Sequence, residues 1–168
     1  MFQRLSRLIK KKLMIKAEVL VKTNAWKKHI RNPNTYLSKK LKKVEKKINI
    51  FKNNKLKFTL LLSGDSEIKR LNKKFRNKNK VTDVLSFPSY EKKTLYTLIR
   101  KQEDSIYLGD IIISLNEIIK QSRKKNFFTI FDKIWIHGLI HLLGYRHKSN
   151  QDFFLMKKLE NKVIKLIQ

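Results

Sequence analysis

Three histidines stand within eleven residues, in the run HGLIHLLGYRH over 137–147, and their spacing leaves the chain few ways to fold there. His137 and His141 are four residues apart, so on a helix they share one face, one turn apart. The stretch Thr129–Leu143 is strongly apolar and reads as that helix. Gly144 is placed to end it, because glycine takes the left-handed conformation at little cost. The chain then reverses, and Tyr145 and Arg146 lead His147 back toward the first two. Three neutral imidazoles with no thiolate make a typical ligand set for zinc. Three protein ligands leave one position open, which marks a catalytic rather than a structural site. The fourth histidine, His29, is alone in a polar stretch and is expected at the surface.

The pattern H-x-x-x-H-x-x-G-x-x-H matches that of the metzincin metalloproteases in all but one respect. Those enzymes carry glutamate after the first histidine, and it is their general base. Here the residue is Gly138, which cannot take a proton. A metal-dependent hydrolase of another kind is therefore expected.

Composition narrows the alternatives. The chain has 168 residues and no cysteine, which excludes disulfide scaffolds, thiolate zinc sites and cysteine nucleophiles. Lysine and arginine number 41 against 13 acidic residues, giving a net charge of +28. Such a field favours polyanions. Yet 33 of the 41 are lysine, in a chain also rich in isoleucine and asparagine, so base composition of the genome accounts for the skew equally well. No apolar run approaches the roughly 18 residues needed to span a bilayer.

Residues 1–13 are basic but lack an apolar core and a cleavage site, and read as an extension upstream of a single domain over 14–168. Strands are expected at Ile15–Lys22, Leu56–Ser63, Val84–Phe87 and Ile106–Ser114. An amphipathic helix is expected over 35–52, carrying Leu37, Leu41, Val44, Ile48 and Phe51. Asp65 or Ser66 can cap a short helix bearing Ile68, Leu71 and Phe75, and Arg76–Lys80 reads as a polar loop. Ser114 and Glu117 have capping-box spacing for a helix over 115–125. Ser149 or Asn150 can cap a last helix. Interleaved strands and helices indicate an α+β chain with a mixed four-stranded sheet and helices packed on it.

The run IHGLIHLLGYRH over 136–147 resembles the signature of the YbeY family, bacterial rRNA maturation factors described as zinc-dependent endoribonucleases. Residues 71–88, LNKKFRNKNKVTDVLSFP, are similar to the family's L-N-x-x-(Y/F)-R-x-K-(D/N)-x-x-T-D-V-L-S-F-P. Residues 108–114, LGDIIIS, are similar to its L-G-D-I-x-I-S strand. The resemblance covers roughly Met14 to Ile167. It implies an α+β fold with the zinc-binding helix, similar to that of the metzincin core, beside a mixed sheet. It also implies one zinc ion on His137, His141 and His147, and Arg76 as the important basic residue of the site. The implied activity is single-strand-type endoribonuclease action in processing the 3′ end of 16S rRNA and maturing the small ribosomal subunit. That places the protein in the cytoplasm with rRNA, ribosomal proteins or assembly GTPases as partners, and with neither membrane nor DNA. Arg146 stands where the family usually has aspartate, which removes the basis for an acidic role there, and Asn77 stands where glycine is common.

These residues allow a mechanism in which zinc lowers the pKa of a water from about 15.7 toward about 7, and Arg76 binds the phosphate. Asp83 and Asp110 sit beside short apolar strands, where either orienting a ligand histidine or a plain turn role fits. No general base is evident. Two other readings remain: a non-catalytic RNA-binding assembly factor with a structural zinc, and a metzincin-like hydrolase.

Overall fold

The computed structural model describes residues 15–48, 54–147 and 149–168; the segment 1–13, Met14 and Phe51 lie outside the described residues. Four strands form one sheet in the order β1-β2-β4-β3, with β1 Ile15–Val21, β2 Leu56–Ser63, β3 Val84–Pro88 and β4 Ile106–Ser114. β1, β2 and β4 run parallel, and β3 pairs antiparallel with β4 at the edge. The sheet is therefore mixed, as the interleaved patterning implies. Pro88 lies at the end of the edge strand, where its missing N–H costs the ladder little.

Side-chain alternation decides which face each strand buries. Ile15 and Val19 of β1, Leu56, Phe58, Leu60 and Leu62 of β2, and Leu108, Ile111 and Ile113 of β4 enter the main core. That core lies under helices α1 (Pro33–Glu45), α5 (Phe127–Leu142) and α6 (Asn150–Ile167). On the opposite face Ile68 of α2 (Asp65–Arg76) packs with Leu85 and Ile112 in a smaller cluster. The register of β2 on β4 shifts between Lys57 and Thr59, opposite Gly109. Gly109 has φ +127°, and a Cβ there would lie 2.1 Å from the Phe87 carbonyl oxygen, so only glycine fits this bulge.

α5 is apolar on nearly all sides, and Ile130, Phe131, Ile134, Trp135, Ile136, Leu139, Ile140 and Leu142 are all buried. One polar hub fixes its position. The Asp132 carboxylate accepts hydrogen bonds from Tyr36 (2.9 Å) and Trp135 (2.8 Å) and pairs with Lys40 at 3.0 Å, tying α5 to α1. Burial, helped by the Asp132 charge, pushes the Tyr36 phenol well up, so it donates at any working pH.

Several local expectations differ from the structure. α1 begins at Pro33, whose fixed φ suits a first helical position, and ends at Glu45 rather than running to residue 52. Ile48 still reaches the core, through a turn whose amides bond back to Val44. Gly64, not Asp65 or Ser66, is the N-cap of α2. Ser114 forms no capping box at α4 (Leu115–Gln121), because its hydroxyl donates instead to Asp65. That helix stops at Gln121 and tightens into a 3-10 turn over Ser122–Lys124. Among the described residues, α3 (Lys92–Arg100) and a 3-10 turn over Asn24–Lys28 are not among the elements expected from the sequence; α3 is short, with Leu95 as its one fully buried side chain. Ser149 does cap α6, accepting from the Asp152 amide. His29 is half-buried rather than free at the surface, stacked on Phe127 at 4.7 Å.

Candidate metal centre

α5 carries His137 and His141 over β3 and the end of β4. Its start is fixed by Asn126, whose side chain accepts from the amides of Phe128 and Thr129. Its end is fixed by Gly144 at φ +83°, with the Gly144 amide bonded to His141 and the Tyr145 amide to Ile140. A Cβ on Gly144 would come within 2.6 Å of Lys92, so the turn requires glycine for space as well as for conformation. This turn swings His147 back over the helix. The ring centroid of His147 lies 5.9 Å from that of His137 and 5.1 Å from that of His141. One ligand nitrogen from each of the three lies within 4.8 Å of the others.

The donor set fits a cation. His141 Nδ1 is 2.8 Å from the Tyr145 carbonyl oxygen, which can only accept, so Nδ1 carries the proton. His137 Nδ1 is 2.6 Å from Glu160 Oε1. Burial opposes ionisation of Glu160, but bonds from His137 and Lys157 outweigh it and hold the carboxyl below its usual range. It therefore also acts as an acceptor. Both Nε2 atoms are left with bare lone pairs, facing each other at 3.0 Å. Burial first, then the His137 charge, lowers His141 to about 4, so the His141 ring is itself neutral near pH 7. Two nitrogens on one tetrahedral zinc at about 2.0–2.1 Å would stand about 3.3 Å apart. The pair needs to open only a few tenths of an ångström to hold such an ion.

Glu160 is the residue that sequence reasoning missed. It lies on α6 at a buried position, in step with Met156, Val163 and Ile167. An acid in an otherwise apolar helical stripe was the available signal. A carboxylate that accepts from a ligand histidine fixes its tautomer and raises its basicity, and removing it typically costs 10–100-fold in metal affinity. Glu160→Gln should therefore weaken metal binding about 10- to 100-fold with the fold intact, measured by competition with a chromophoric chelator.

Around the histidines opens a cleft of about 580 Å³, lined also by Arg76, Lys78, Thr82, Asp83 and Ser86. Arg76 is the last residue of α2, exposed, and its charge is felt at His141. Asn77 follows in the left-handed conformation, with its amide bonded to Lys73. Buried Asn72 clamps the loop by donating its side-chain N–H to the Lys80 carbonyl at 2.8 Å. Asp83 does not reach a histidine. Its carboxylate accepts from the Val84 amide, Thr82 and Gln121, which shapes the loop before β3. Asp110 accepts from Tyr107. Arg146 is exposed.

Gly138 faces the sheet. An added Cβ would lie 2.8 Å from Ile111 Cγ2 and 3.2 Å from both Ile111 Cδ1 and Ser86 Oγ. Its role is close approach of α5 to β3 and β4, and the glutamate of the peptidase motif has no room at this position.

Comparison with known proteins identifies the family. The family model described as Endoribonuclease YbeY matches residues 19–168. Endoribonuclease YbeY of Pelagibacter ubique is 42% identical over 157 residues, covering 92% of this chain and 97% of that protein. The Thermodesulfovibrio yellowstonii protein of the same name is 37% identical over 129 residues, covering 75% of this chain and 74% of its own length. The solution structure of TM1509 from Thermotoga maritima superposes with a TM-score of 0.58 at 24% identity, covering 92% of this chain and 89% of that one. That likeness is one of fold.

Proposed function

The chain belongs to the YbeY endoribonuclease family, and from that premise we propose that it is a zinc-dependent, cytoplasmic endoribonuclease. Its substrate would be single-stranded rRNA near the 3′ end of 16S rRNA, cut during maturation of the small subunit. The observation that carries this reading is the convergence of His137, His141 and His147 beside Arg76 in one basic cleft.

A zinc ion held there supplies Lewis-acid polarisation and a water of lowered pKa. The protein's own residues do the rest. Arg76 offers a planar fork of N–H donors suited to a phosphodiester, and Lys78 adds positive charge on the same rim. Asn72 holds the loop that follows Arg76, so the guanidinium meets the phosphate from a fixed direction. Glu160 and the Tyr145 carbonyl keep the Nδ1 protons on His137 and His141, and both Nε2 lone pairs stay free for the ion. A peptidase mechanism is disfavoured because Gly138 packs against Ile111 and leaves no space for a general base.

The test separates phosphate handling from metal binding. Arg76→Glu should keep one metal ion per chain and an unchanged melting temperature, yet lose on the order of 10²–10³ in RNA cleavage rate, comparable with removing a transition-state donor. Cells carrying that variant should accumulate 16S rRNA with unprocessed 3′ ends. Normal cleavage and normal rRNA ends in the variant would remove Arg76 from the mechanism. Tight, salt-sensitive RNA binding with no metal-dependent turnover in the wild type would make the protein an assembly factor instead.

A further inference from the structure

The outer face of α6 carries a feature that folding does not explain. Met156, Glu160, Val163 and Ile167 fill the inner face of this helix. On the outside Phe153, Phe154 and Leu155 are 57, 67 and 52% exposed. Phe154 opens a shallow groove of about 510 Å³ that continues along Lys157, Lys158, Asn161, Lys162 and Lys165. Positions 154, 158, 162 and 165 recur at three- and four-residue steps, so they form one stripe along the helix. Both acids of α6 are engaged elsewhere: Asp152 bonds to Ser149, and Glu160 faces His137. The stripe is thus uniformly positive with an aromatic ring at one end.

The groove also leads to the metal centre. Lys157 lines it and a second hollow of about 230 Å³, which Lys133, Glu160 and His137 share. His137 in turn lines the metal cleft. Lys157 Nζ lies 3.1 Å from Glu160 Oε2, and Glu160 Oε1 meets His137, so one short chain of contacts links the outer stripe to a metal ligand.

We propose that this face of α6 is an accessory binding site for single-stranded RNA that extends beyond the scissile bond. Lys158, Lys162 and Lys165 take successive phosphates, and Phe154 stacks on a base. An exposed aromatic beside a row of cations suits single strands, because every base has a face to stack. A membrane surface is the poorer match: the strongly exposed apolar side chains, Phe153, Phe154 and Leu155, sit together near the start of the helix, and the groove runs toward the metal cleft rather than ending on a flat face. The inference rests on the RNA reading of the metal cleft but is tested separately from it.

The probe is a 20-nucleotide single-stranded RNA, with binding read by fluorescence anisotropy on the full chain. The triple variant Lys158→Glu, Lys162→Glu, Lys165→Glu should bind at least tenfold more weakly. Its slope of log affinity against log salt should be smaller by about 2, since each phosphate neutralised on a single strand adds about 0.7 to that slope. Phe154→Ala should bind about tenfold more weakly, and Phe154→Trp should restore affinity. All these positions are exposed, and unchanged melting temperatures verify the fold. Cleavage of the 20-mer should show the loss in KM, while cleavage of a pentanucleotide confined to the metal cleft stays at the wild-type rate. Affinity of both variants within twofold of wild type overturns the proposal, as does binding to anionic phospholipid vesicles without binding to RNA. If the wild type binds the 20-mer through these residues but cleaves nothing, the accessory site stands and the nuclease reading fails.

Discussion

Replacing His141 with alanine should strip the protein of its metal while leaving it folded. His141 is the nearer neighbour of both other histidines of the cluster, 3.0 Å from His137 at Nε2, so its loss would leave two imidazoles, too few for a three-nitrogen site. The helix under it remains held by buried Ile136, Leu139, Ile140 and Leu142 and by the Asp132 hub. Metal content after dialysis should therefore fall from about one ion per chain to near zero, with little change in circular dichroism. RNA cleavage should fall by on the order of 10³, since several kcal/mol of charge stabilisation go with the ion and each 1.36 kcal/mol is tenfold in rate. A variant that retained a full equivalent of metal would place the ion elsewhere.

The second large effect is structural. Gly138→Glu restores the letter of the metalloprotease pattern but should yield an unstable protein, not a peptidase. The Cβ alone would sit 2.8 Å from a branch methyl of Ile111, a side chain fully buried in β4. A carboxylate pressed into the same place would lose its solvation and gain no partner. Overpacking alone typically costs about 1–3 kcal/mol, so the whole change should cost about 3 kcal/mol or more. In a domain of this size that is a fall in melting temperature of roughly 6–12 °C or more. Gly138→Ala should show the milder form, because the methyl meets the same atoms without the charge. A Gly138→Glu protein as stable as wild type would mean that α5 does not rest on β4 as closely as the structure has it.

How much of this is legible in the sequence follows from how local each feature is. The histidine triad is legible because it is written into eleven consecutive residues: a helix turn sets His137 beside His141, and one glycine turn returns His147. All four strands keep the expected bounds to within a residue, since β2, β3 and β4 are short apolar-rich runs and β1 alternates loosely. α3 is not legible because its nine residues are too short a run for a helical period to stand out, although Leu95 is buried and Tyr96, Leu98 and Ile99 pack against the core. The end of α1 escapes notice because Ile48 keeps the helical period while the backbone has already turned. Glu160 is not legible as a partner of His137, because the two are 23 residues apart and meet only through the packing of α6 on α5. Arg76 draws attention through the family resemblance alone; as a residue it is one cation among 41. The capping box at Ser114 fails for a related reason, since a distant carboxylate, Asp65, competes for the hydroxyl.

The net charge of +28 divides unevenly over the surface. Arg76 and Lys78 line the cleft around the three histidines, and Lys157, Lys158, Lys162 and Lys165 line the groove on α6. Lys40, by contrast, is committed to Asp132 and the junction of helices α1 and α5.

The most direct test of the central claim is a titration of RNA cleavage against metal. Protein freed of metal by chelation is given increasing zinc, and cleavage of a single-stranded RNA carrying the 3′ region of 16S rRNA is followed. Cleavage should be absent at the start, rise linearly, and break at about one equivalent per chain. Cleavage that is undiminished in the chelated protein, or that stays absent with the site filled, would contradict a catalytic metal centre on His137, His141 and His147.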